Sequence, residues 1–594
     1  MKKRRVAVFS FGTRGDVLPV AVVADSLARA DRSASITFIT HEAHRDLETR
    51  LARSGVAFVG VSAPPVLPGR TAASSEAEIG HSSGASEDDD RQLREALEME
   101  LREECLTAMD SVMGAADDAE GNAVIFNFFA LEGWHLAELY RVPCTVLAPY
   151  VVPYSAPSSF ERRFRAAHPL LYRRLQEAAP GEVGWKEVMH WMWPLFTDRW
   201  AEWRLHRLHL SACPLTDPVT DLPLVYEWPQ APHLLYGFSV CESSSQVVEC
   251  PAYWPSSISV CGFWFTPLEW DVAPEVNPGL SVVQAKPKSL KGPASFRGAP
   301  LDLVVRQSCL VTETLQHGKQ SIQAVKKTTL STHNFQLECN PEENPQLEIF
   351  AGSTKKRSYK PPVKLGHFLS EHKFDESENK DDRPIFLGFS STGNMGFLER
   401  PGSMLKVLKA VLEATDSSAI LFTAGHPPLD LEVTELCDEN LSTQYLEAEQ
   451  KRNLLQEGLC CFNGRLFCYS GSVPYLWLLP HCSVAIHHGG SGTTAACLRA
   501  GTPQIICPFV LDQFYWAERM TWLRVAPQSL TPQLLMPDMS SSENFHDAVK
   551  VISAAIREAR SVEMKLCASS LSVKLEGEDG TSVAVSILRT LLCK

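Results

Sequence analysis

Short apolar runs alternate with amphipathic stretches along the first quarter of the chain. Runs such as Val6–Ser10 and Ile36–Thr40 are short and rich in β-branched residues, which is typical of buried strands. Stretches such as Leu18–Ala30 and Asp89–Ala116 repeat apolar residues at helical spacing. The other elements predicted here are strands at Val56–Val59, Ala123–Phe126 and Thr145–Ala148 and a helix at Trp134–Tyr140. This alternation predicts a parallel sheet with right-handed crossovers.

A second series of the same kind fills the last third of the chain. Its predicted strands are Ile385–Phe389, Ala419–Thr423, Leu466–Tyr469, Val484–Ile486 and Gln504–Cys507. Helical spacing predicts helices at Met404–Ala414 and Thr493–Ala500, and further helices near the C-terminus. Two α/β halves of this type bind ligands in the crevice at the carboxyl ends of their parallel strands.

Two stretches depart from the alternation. Residues 160–210 mix Trp, Phe, Leu and Arg at helical spacing, which predicts amphipathic helices packed on the first domain. The alternative is an apolar acceptor pocket or a patch that touches a membrane surface. Residues 275–383 are rich in Lys, Ser, Pro and Gln without a sustained helical or strand periodicity, so we expect a disordered linker or insertion there.

The predicted domain boundaries follow from these patterns. An N-terminal domain at 1–274 and a C-terminal domain at 384–594 are separated by the segment 275–383. We expect each domain to be a doubly wound Rossmann-like fold, with the two facing a cleft.

Charge and cysteine content narrow the class of protein. The net charge of -14 disfavours a general nucleic-acid binder. The apolar run after the basic N-terminus is too short for a signal peptide, and no stretch approaches the ~20 apolar residues of a membrane span. The 17 cysteines form no CxxC pair, which fits free thiols in a reducing compartment. We therefore expect a cytoplasmic protein, with peripheral contact at membranes if its ligand is lipophilic.

The stretch HHGGSGTTAACLRAGTPQ at 487–504 joins a predicted strand to a predicted helix. Its glycines let backbone N–H groups approach a ligand closely, and the N-terminus of a helix attracts an anion. His488, Ser491 and Thr493 add polar side chains, so the constellation suits a diphosphate. A purely structural glycine turn is an equal alternative. A zinc site is a weaker one, because no third ligand is suitably spaced.

A longer pattern favours the diphosphate. HHGGSGTTAACLRAGTPQIICPFVLDQFYW resembles the donor-binding signature of the family 1 glycosyltransferases, which have the two-domain GT-B fold. Further segments resemble the sterol 3β-glucosyltransferase branch and its bacterial antibiotic-modifying relatives, namely FGTRGDVLPVAVVADSLARA, WPSSISVCGFWF, IFLGFSS and GEDGTSVAVSIL. The resemblance covers both predicted domains but not residues 275–383.

The resemblance implies a set of donor-binding residues. It places His488 at the diphosphate and the pair Asp512 and Gln513 at the hydroxyls of the sugar. The other donor-binding candidates are Gly490, Ser491, Gly492, Thr493, Val473 and Ser390. The chain departs from the signature at two positions, because the usual glutamate for ribose falls on Ala496 and the uracil-stacking tryptophan falls on Ser470.

The N-terminal loop GTRGDVLP carries the candidate catalytic residue. Asp16 stands where plant small-molecule enzymes of the family have a catalytic histidine, as in the sterol and antibiotic branches. Inverting glycosyl transfer needs a base that deprotonates the acceptor hydroxyl, so we expect Asp16 to be that base. A second, compatible role for Asp16 is to cap the helix predicted to begin near Leu18. Gly12, Arg14 and Gly15 are expected to support the loop, with Arg14 near the loop or the phosphates.

Two residues are candidates for a partner of Asp16. In the plant branch an aspartate after a later strand pairs with the catalytic histidine, and the matching position here is Asn127. His135 is a nearby candidate, although a lone histidine on a helix is more often structural.

The resemblance thus implies an inverting transferase that moves a hexose, with glucose from UDP-glucose expected, to a hydroxyl of a sterol or similar lipophilic acceptor. The UDP-sugar is a co-substrate, and no metal or other cofactor is implied. One alternative is a UDP-glycosyltransferase for a non-sterol small molecule. Another is a catalytically impaired protein that binds a nucleotide sugar or a lipid, since IFLGFSSTGNMGF diverges from the usual loop of the branch.

Overall fold

The computed structural model describes most of both predicted domains. The described residues are 3–65, 85–114, 121–150, 156–217, 219–239, 247–248, 250, 254–267, 270, 359–375, 380–389, 392–393, 395–437 and 448–592.

The first domain is built on a seven-stranded parallel sheet. The strands run in the order β3-β2-β1-β4-β5-β6-β7. Their bounds are β1 Arg4–Phe9, β2 Ala34–His41, β3 Ala57–Val61, β4 Ala123–Phe126, β5 Cys144–Ala148, β6 His233–Tyr236 and β7 Ile258–Val260. The five strands predicted from the sequence are confirmed, whereas the short β6 and β7 are additional. The order reverses beside β1, so the loop after β1 opens at the switch point where such sheets bind ligands.

Helices cover the faces of this sheet. They are α1 Arg14–Ala30, α2 Glu48–Ala52, α3 Ala85–Met113, α4 Glu132–Tyr140, α5 Ser158–Ala167 and α6 Pro169–Gln176. Short α, 3-10 and π turns then run from Trp185 to Leu208. The tryptophans of this region, including Trp191, Trp200 and Trp203, are buried in the main hydrophobic cluster of the domain. The prediction that residues 160–210 pack on the domain is therefore confirmed.

The second domain repeats the architecture with six strands. The order is β12-β13-β11-β10-β14-β15, with β12 the antiparallel edge strand. Their bounds are β10 Ile385–Gly388, β11 Ala419–Phe422, β12 Leu459–Cys461, β13 Leu466–Tyr469, β14 Val484–His487 and β15 Gln504–Ile506. The predicted α/β fold with two Rossmann-like sheets is confirmed.

The helices of the second domain flank this sheet and continue to the C-terminus. In chain order they are α7 Val363–Glu371, α8 Pro401–Ala414, α9 Pro427–Cys437, α10 Ala448–Glu457, α11 Tyr475–Leu478, α12 Ser491–Ala500, α13 Gln513–Trp522, α14 Pro532–Leu535, α15 Ser542–Ala559, α16 Val562–Glu576 and α17 Gly580–Leu592. The helices predicted at 404–414 and 493–500 are confirmed, each beginning two or three residues earlier than expected.

The last part of the segment 275–383 is structured, contrary to expectation. Helix α7 buries Leu365 and Phe368 in a cluster of the second domain that includes Phe467. A two-stranded hairpin follows, with β8 Phe374–Asp375 and β9 Lys380–Asp381. The charged composition hid these elements because only one face of α7 is buried. Residues 271–358 lie outside the described residues.

The C-terminal helix returns to the first domain. Helix α17 packs against α1, and its Ala584, Val585 and Leu588 share a cluster with the core of the first sheet. A Cβ on Gly580, at the start of α17, would lie 2.3 Å from the backbone carbon of Gly262. This close approach holds the start of α17 against the first domain.

Most described cysteines are free, including the buried Cys105, Cys468 and Cys497. Cys461 is disulfide-bonded, so the expectation of free thiols is wrong at this position. Within the part of the chain that the structure describes, no helix combines the length and apolarity needed to cross a bilayer.

Candidate active site

Asp16 lies in the first turn of α1, directly after the loop that leaves β1. The helix begins at Arg14, four residues earlier than expected, and Thr13 is its N-cap. The backbone N–H of Thr13 donates to Asp16 Oδ2 at 2.7 Å, and the Thr13 hydroxyl donates to the same oxygen at 2.8 Å. Asp16 therefore caps the helix from inside its first turn. Burial raises the pKa of Asp16 to about 6, which moves the carboxylate towards the basicity of a useful general base.

Two histidines that the sequence did not assign to the site hold the loop before Asp16. The Gly12 N–H donates to His41 Nε2 at 3.1 Å, so His41 Nδ1 carries the proton donated to the Ala63 carbonyl at 2.7 Å. His44 Nε2 donates to the Gly12 carbonyl at 3.0 Å. Both histidines are buried, and burial lowers the pKa of His41 to about 4, so that the ring stays neutral and able to accept. His41 is the last residue of β2 and His44 lies in the turn that follows, so two histidines at the carboxyl end of a predicted strand were the signal in the sequence.

Neither candidate partner contacts Asp16. The Asn127 side chain accepts from the Phe11 N–H at 3.1 Å and donates to the Phe11 carbonyl at 2.8 Å, so it holds the end of β1. His135 receives a hydrogen bond from the buried Arg204 at 2.7 Å and packs on Trp200. Its contacts are those of a structural histidine, which is the more common role of a lone histidine on a helix.

The three loop-support candidates differ in what they do. Gly12 has φ +106°, and a Cβ there would lie 2.7 Å from Asp16 Oδ2. Gly15 has no such strain, because it lies within the first turn of the helix with only Thr13 Oγ1 at 3.7 Å from its Cβ position. Arg14 is exposed and paired with Asp46 at 2.9 Å. It therefore supports the loop from the surface.

We expect Gly12→Ala to reduce transfer activity at least tenfold. The added methyl forces a non-glycine residue into the left-handed region, at about 1–2 kcal/mol, and displaces the Asp16 carboxylate. Gly15→Ala is the matched control: it should leave activity within about twofold and keep or raise the melting temperature, because alanine favours a helix. Steady-state kinetics and thermal melting of both variants test this, and equal activity of the two would contradict it.

The glycine-rich turn forms the second half of the site. The first helical bond of α12 runs from Thr494 N–H to the Gly490 carbonyl at 3.0 Å. The N–H groups of Ser491, Gly492 and Thr493 therefore have no acceptor within the helix and point out of its N-terminus. This arrangement suits an anion, as the sequence predicted.

His487 shapes the turn from within. Its Nε2 donates to Gln504 Oε1 at 2.9 Å, and its Nδ1 accepts from the Gly489 N–H at 3.0 Å. Gly489 has φ +89°, with Ile506 only 2.7 Å from its Cβ position, so no other residue fits there. The sequence showed His487 but gave it no role.

His488 is buried beside the N-terminus of α12. Burial lowers its pKa to about 4, and a hydrogen bond to the Gly388 backbone partly offsets this. Its Nδ1 has no hydrogen-bond partner among the described residues. A Cβ on Gly490 would lie 2.4 Å from His488 Nε2, so the glycine is what permits this orientation of the ring.

The hydroxyl residues of the turn are less open to a ligand than expected. The Ser491 hydroxyl donates to the Pro149 carbonyl of the first domain at 2.8 Å. This hydrogen bond therefore connects the two domains. Thr493 is buried in the first turn, whereas Gly492 is exposed with open space around its Cβ position. The backbone N–H groups therefore offer more to an anion than these two side chains.

Asp512 and Gln513 begin helix α13. Gln513 Oε1 accepts from the N–H groups of Phe509 and Val510 at 2.8 and 3.1 Å, which leaves its amide nitrogen for a ligand. Trp516 Nε1 donates to Asp512 Oδ2 at 3.0 Å. Burial, together with the negative charge of Asp16, raises the pKa of Asp512 to about 7. The two half-buried carboxylates, one from each domain, are therefore close enough to interact electrostatically.

The remaining candidates for the nucleotide pocket are less informative. The Val473 side chain is buried in the cluster around Phe422 and Tyr469, so only its backbone could meet a nucleotide. Ala496 is also buried there. Ser390 lies outside the described residues.

The two raised carboxyl pKa values predict a pH-dependent stability. Unfolded aspartates titrate near about 3.9, whereas Asp16 and Asp512 retain protons to about pH 6 and 7 when folded. Between these values the folded state binds more protons, so the free energy of unfolding falls as pH rises. The free energy of unfolding, measured with urea across this pH range, should change less with pH in the double variant Asp16→Asn/Asp512→Asn than in the wild type. The same pH dependence in both proteins would contradict the raised pKa values.

Parts of the chain are similar in sequence to known proteins. Residues 466–564 match the family model of the erythromycin biosynthesis protein CIII-like C-terminal domain. The chain is 31% identical over 235 residues to a sterol 3-beta-glucosyltransferase of Saccharomyces cerevisiae, covering 39% of this chain and 16% of the relative. It is 39% identical over 112 residues to a sterol 3-beta-glucosyltransferase of Arabidopsis thaliana, covering 19% and 16%. The matched regions thus span less than a fifth of the length of these relatives.

A solved structure of a kitacinnamycin glycotransferase aligns over 100% of both chains, with a TM-score of 0.48 and 12% identity. The sequence comparisons bear out the predicted resemblance to the family 1 glycosyltransferases and their sterol branch.

Proposed function

We propose that this chain transfers a hexose from a nucleotide sugar to a hydroxyl of a lipophilic acceptor, with UDP-glucose as donor and a sterol as acceptor. The observation that carries the proposal is the pair of half-buried carboxylates, Asp16 and Asp512, which come from two domains and interact electrostatically. Similarity to sterol 3-beta-glucosyltransferases supports the acceptor class.

The proposed reaction is a direct displacement with inversion. Asp16 would take the proton of the acceptor hydroxyl as its oxygen attacks the anomeric carbon. The bond from that carbon to the diphosphate oxygen breaks, and its electron pair leaves with the diphosphate. His488 and the N–H groups at the start of α12 would stabilise the charge that develops there. Asp512 and Gln513 would hold the hydroxyls of the sugar.

The acceptor would approach from the first domain. The loop that carries Asp16 opens at the switch point of that sheet, and Phe128 and Tyr150, which pack on each other, follow β4 and β5 at the same carboxyl edge. An apolar edge of this kind would suit a rigid apolar ring system better than a polar acceptor.

A transfer assay tests the proposal. The full chain is incubated with labelled UDP-glucose and other UDP-hexoses, with sterols and phenols as acceptors, and the anomeric configuration of the product is read by NMR. The proposal expects a β-linked glucoside of a sterol. Transfer to phenols alone would replace the acceptor. No transfer from any donor, despite UDP binding, would refute the activity and favour a binding protein.

A further inference from the structure

The outer face of helices α5 and α6 is strongly basic. The two helices carry five arginines and one glutamate, in a chain whose net charge is -14. The glutamate, Glu161, accepts a hydrogen bond from the Tyr172 hydroxyl at 2.6 Å, and Arg174 pairs with Glu182 at 3.1 Å. The other four arginines are exposed, and they are Arg162, Arg163, Arg165 and Arg173. These four residues, called the basic face below, offer an excess of positive charge to a partner outside the chain.

The inner face of the same helices holds them on the first domain. Phe160 and Phe164 are buried, and their ring centres lie 6.2 and 5.5 Å from that of Trp185. Leu171 is buried on α6. The helices are therefore amphipathic, and the arginines lie on the side that faces away from the core. Leu170, which is 46% exposed, adds an apolar side chain to this outer side.

A turn with exposed apolar side chains follows later in the same domain. The Asp217 N–H donates to the Leu222 carbonyl at 2.8 Å and closes the turn, and the Asp217 carboxylate accepts from the Thr220 N–H at 2.7 Å. Val219 is 89% exposed and Tyr226 is fully exposed. The exposed apolar residues of this stretch, called the apolar tip below, are Val219, Leu222, Val225 and Tyr226. Exposed apolar residues grouped in this way are typical of an interaction surface.

Arg174 connects the apolar tip to the basic helices. Its guanidinium carbon lies 4.6 Å from the ring centre of Trp228, two residues after Tyr226. Trp228 is buried, and its Nε1 donates to the Val183 carbonyl at 2.9 Å, so this end of the stretch is fixed. Leu170 precedes Arg174 by one helical turn and lies on the same face of α6. The apolar tip therefore ends beside the helices that carry the basic face.

The combination of charge and apolar surface indicates the partner. Proteins that lie on membranes insert apolar side chains at the boundary between headgroups and acyl chains, and their Lys and Arg residues attract anionic headgroups. Tyrosine is enriched at that boundary. A nucleic acid would engage the arginines but leave Val219 and Leu222 in water. Asp217 and Asp221 lie in the same turn, so the attraction to an anionic surface comes from the helices and the tip contributes apolar area.

We propose that the basic face and the apolar tip dock this chain on an anionic lipid bilayer. The inference deepens the proposed function and rests on it for its purpose, because a lipophilic acceptor dissolves in the bilayer. Helix α5 follows the carboxyl end of β5, the same edge of the sheet at which the loop of Asp16 opens. Docking through this part of the first domain would hold the acceptor side of the molecule at the surface from which the acceptor arrives.

Co-sedimentation of the full chain with vesicles tests the docking. The vesicles consist of phosphatidylcholine alone, or of phosphatidylcholine with about one third phosphatidylserine, and the wild type should bind the second kind about tenfold more tightly or better. Arg162→Glu/Arg163→Glu should weaken binding to the phosphatidylserine vesicles by about tenfold or more, since each basic residue near an anionic surface contributes roughly fivefold. Val225→Ser/Tyr226→Ser should weaken it severalfold, because the tip loses the apolar area that enters the bilayer.

Two double variants of the second domain are matched controls. Lys550→Glu/Arg557→Glu reverses two exposed charges on α15, and Leu566→Ser/Val573→Ser removes two exposed apolar side chains on α16. Both should bind the vesicles as the wild type does. All four variants change exposed side chains, so their melting temperatures should stay within about 2 °C of the wild type, which excludes unfolding as the cause of a loss.

Three results would overturn the inference. They are undiminished binding of Arg162→Glu/Arg163→Glu to the phosphatidylserine vesicles, an equal loss in Lys550→Glu/Arg557→Glu, and equal binding of the wild type to both kinds of vesicle. The proposed function is tested separately. A chain that shows the expected vesicle binding but transfers no sugar would refute the proposed function and leave this inference standing. Sterol transfer by a chain that binds neither kind of vesicle would do the reverse.

Discussion

Asp16→Asn should reduce kcat by about 10²–10⁴-fold, the usual contribution of a general base, with a much smaller change in KM. The amide keeps an oxygen that can accept from the Thr13 N–H, so the cap of α1 survives. It has no basic lone pair that could take the acceptor proton. Steady-state kinetics with UDP-glucose and a sterol measure both parameters.

The control for this experiment is a surface aspartate that, like Asp16, accepts a hydrogen bond from a nearby backbone N–H. Asp538 accepts from the Ser540 N–H at 2.9 Å and lies on the surface. Asp538→Asn should therefore retain full turnover. An Asp16→Asn variant with wild-type kcat would show that the carboxylate is a cap alone. Activity of the wild type should also fall as pH drops through about 6, because the base must be deprotonated.

The second large effect is expected at the leaving group. His488→Ala should lower kcat by about 10²–10³-fold, as does the loss of one donor to a developing anion in other enzymes. The ring is buried next to the N-terminus of α12, and its Nδ1 lacks a partner in the described protein, so nothing nearby can replace it. UDP should also bind more weakly, which titration can measure.

Two variants make this result specific. Gly490→Ala places a methyl 2.4 Å from His488 Nε2 and should reproduce much of the loss, since the ring must move. His481→Ala removes an exposed histidine of the same domain and should change nothing. If His488→Ala kept kcat within a few-fold of the wild type, the helix N-terminus alone would have to hold the diphosphate.

Much of the fold could be predicted from sequence because the periodicity is strong. Buried parallel strands read as short apolar runs, so β1, β2, β4 and the parallel strands β10, β11, β13, β14 and β15 were each located to within about two residues. The short strands β6 and β7 and the antiparallel edge strand β12 were not predicted from the sequence. Helix α7 was missed because its neighbours are charged and its only apolar face is narrow.

The sequence by itself determined the chemistry of the candidate site. The glycine turn before a helix singled out His488 by a local signal, whereas the resemblance to the family signature implied the roles of Asp16, Asp512 and Gln513. The tertiary structure decided the rest. It shows that His41 and His44 hydrogen-bond the backbone of Gly12 and that His135 pairs with Arg204. It also shows that His487 holds the glycine turn through the Gly489 N–H.

It also showed that Asp16 and Asp512, almost five hundred residues apart, lie close enough to interact electrostatically. Such pairings depend on which strands lie side by side and on how two domains pack. Sheet order and domain packing are set by contacts between distant segments, which no local pattern of residues records.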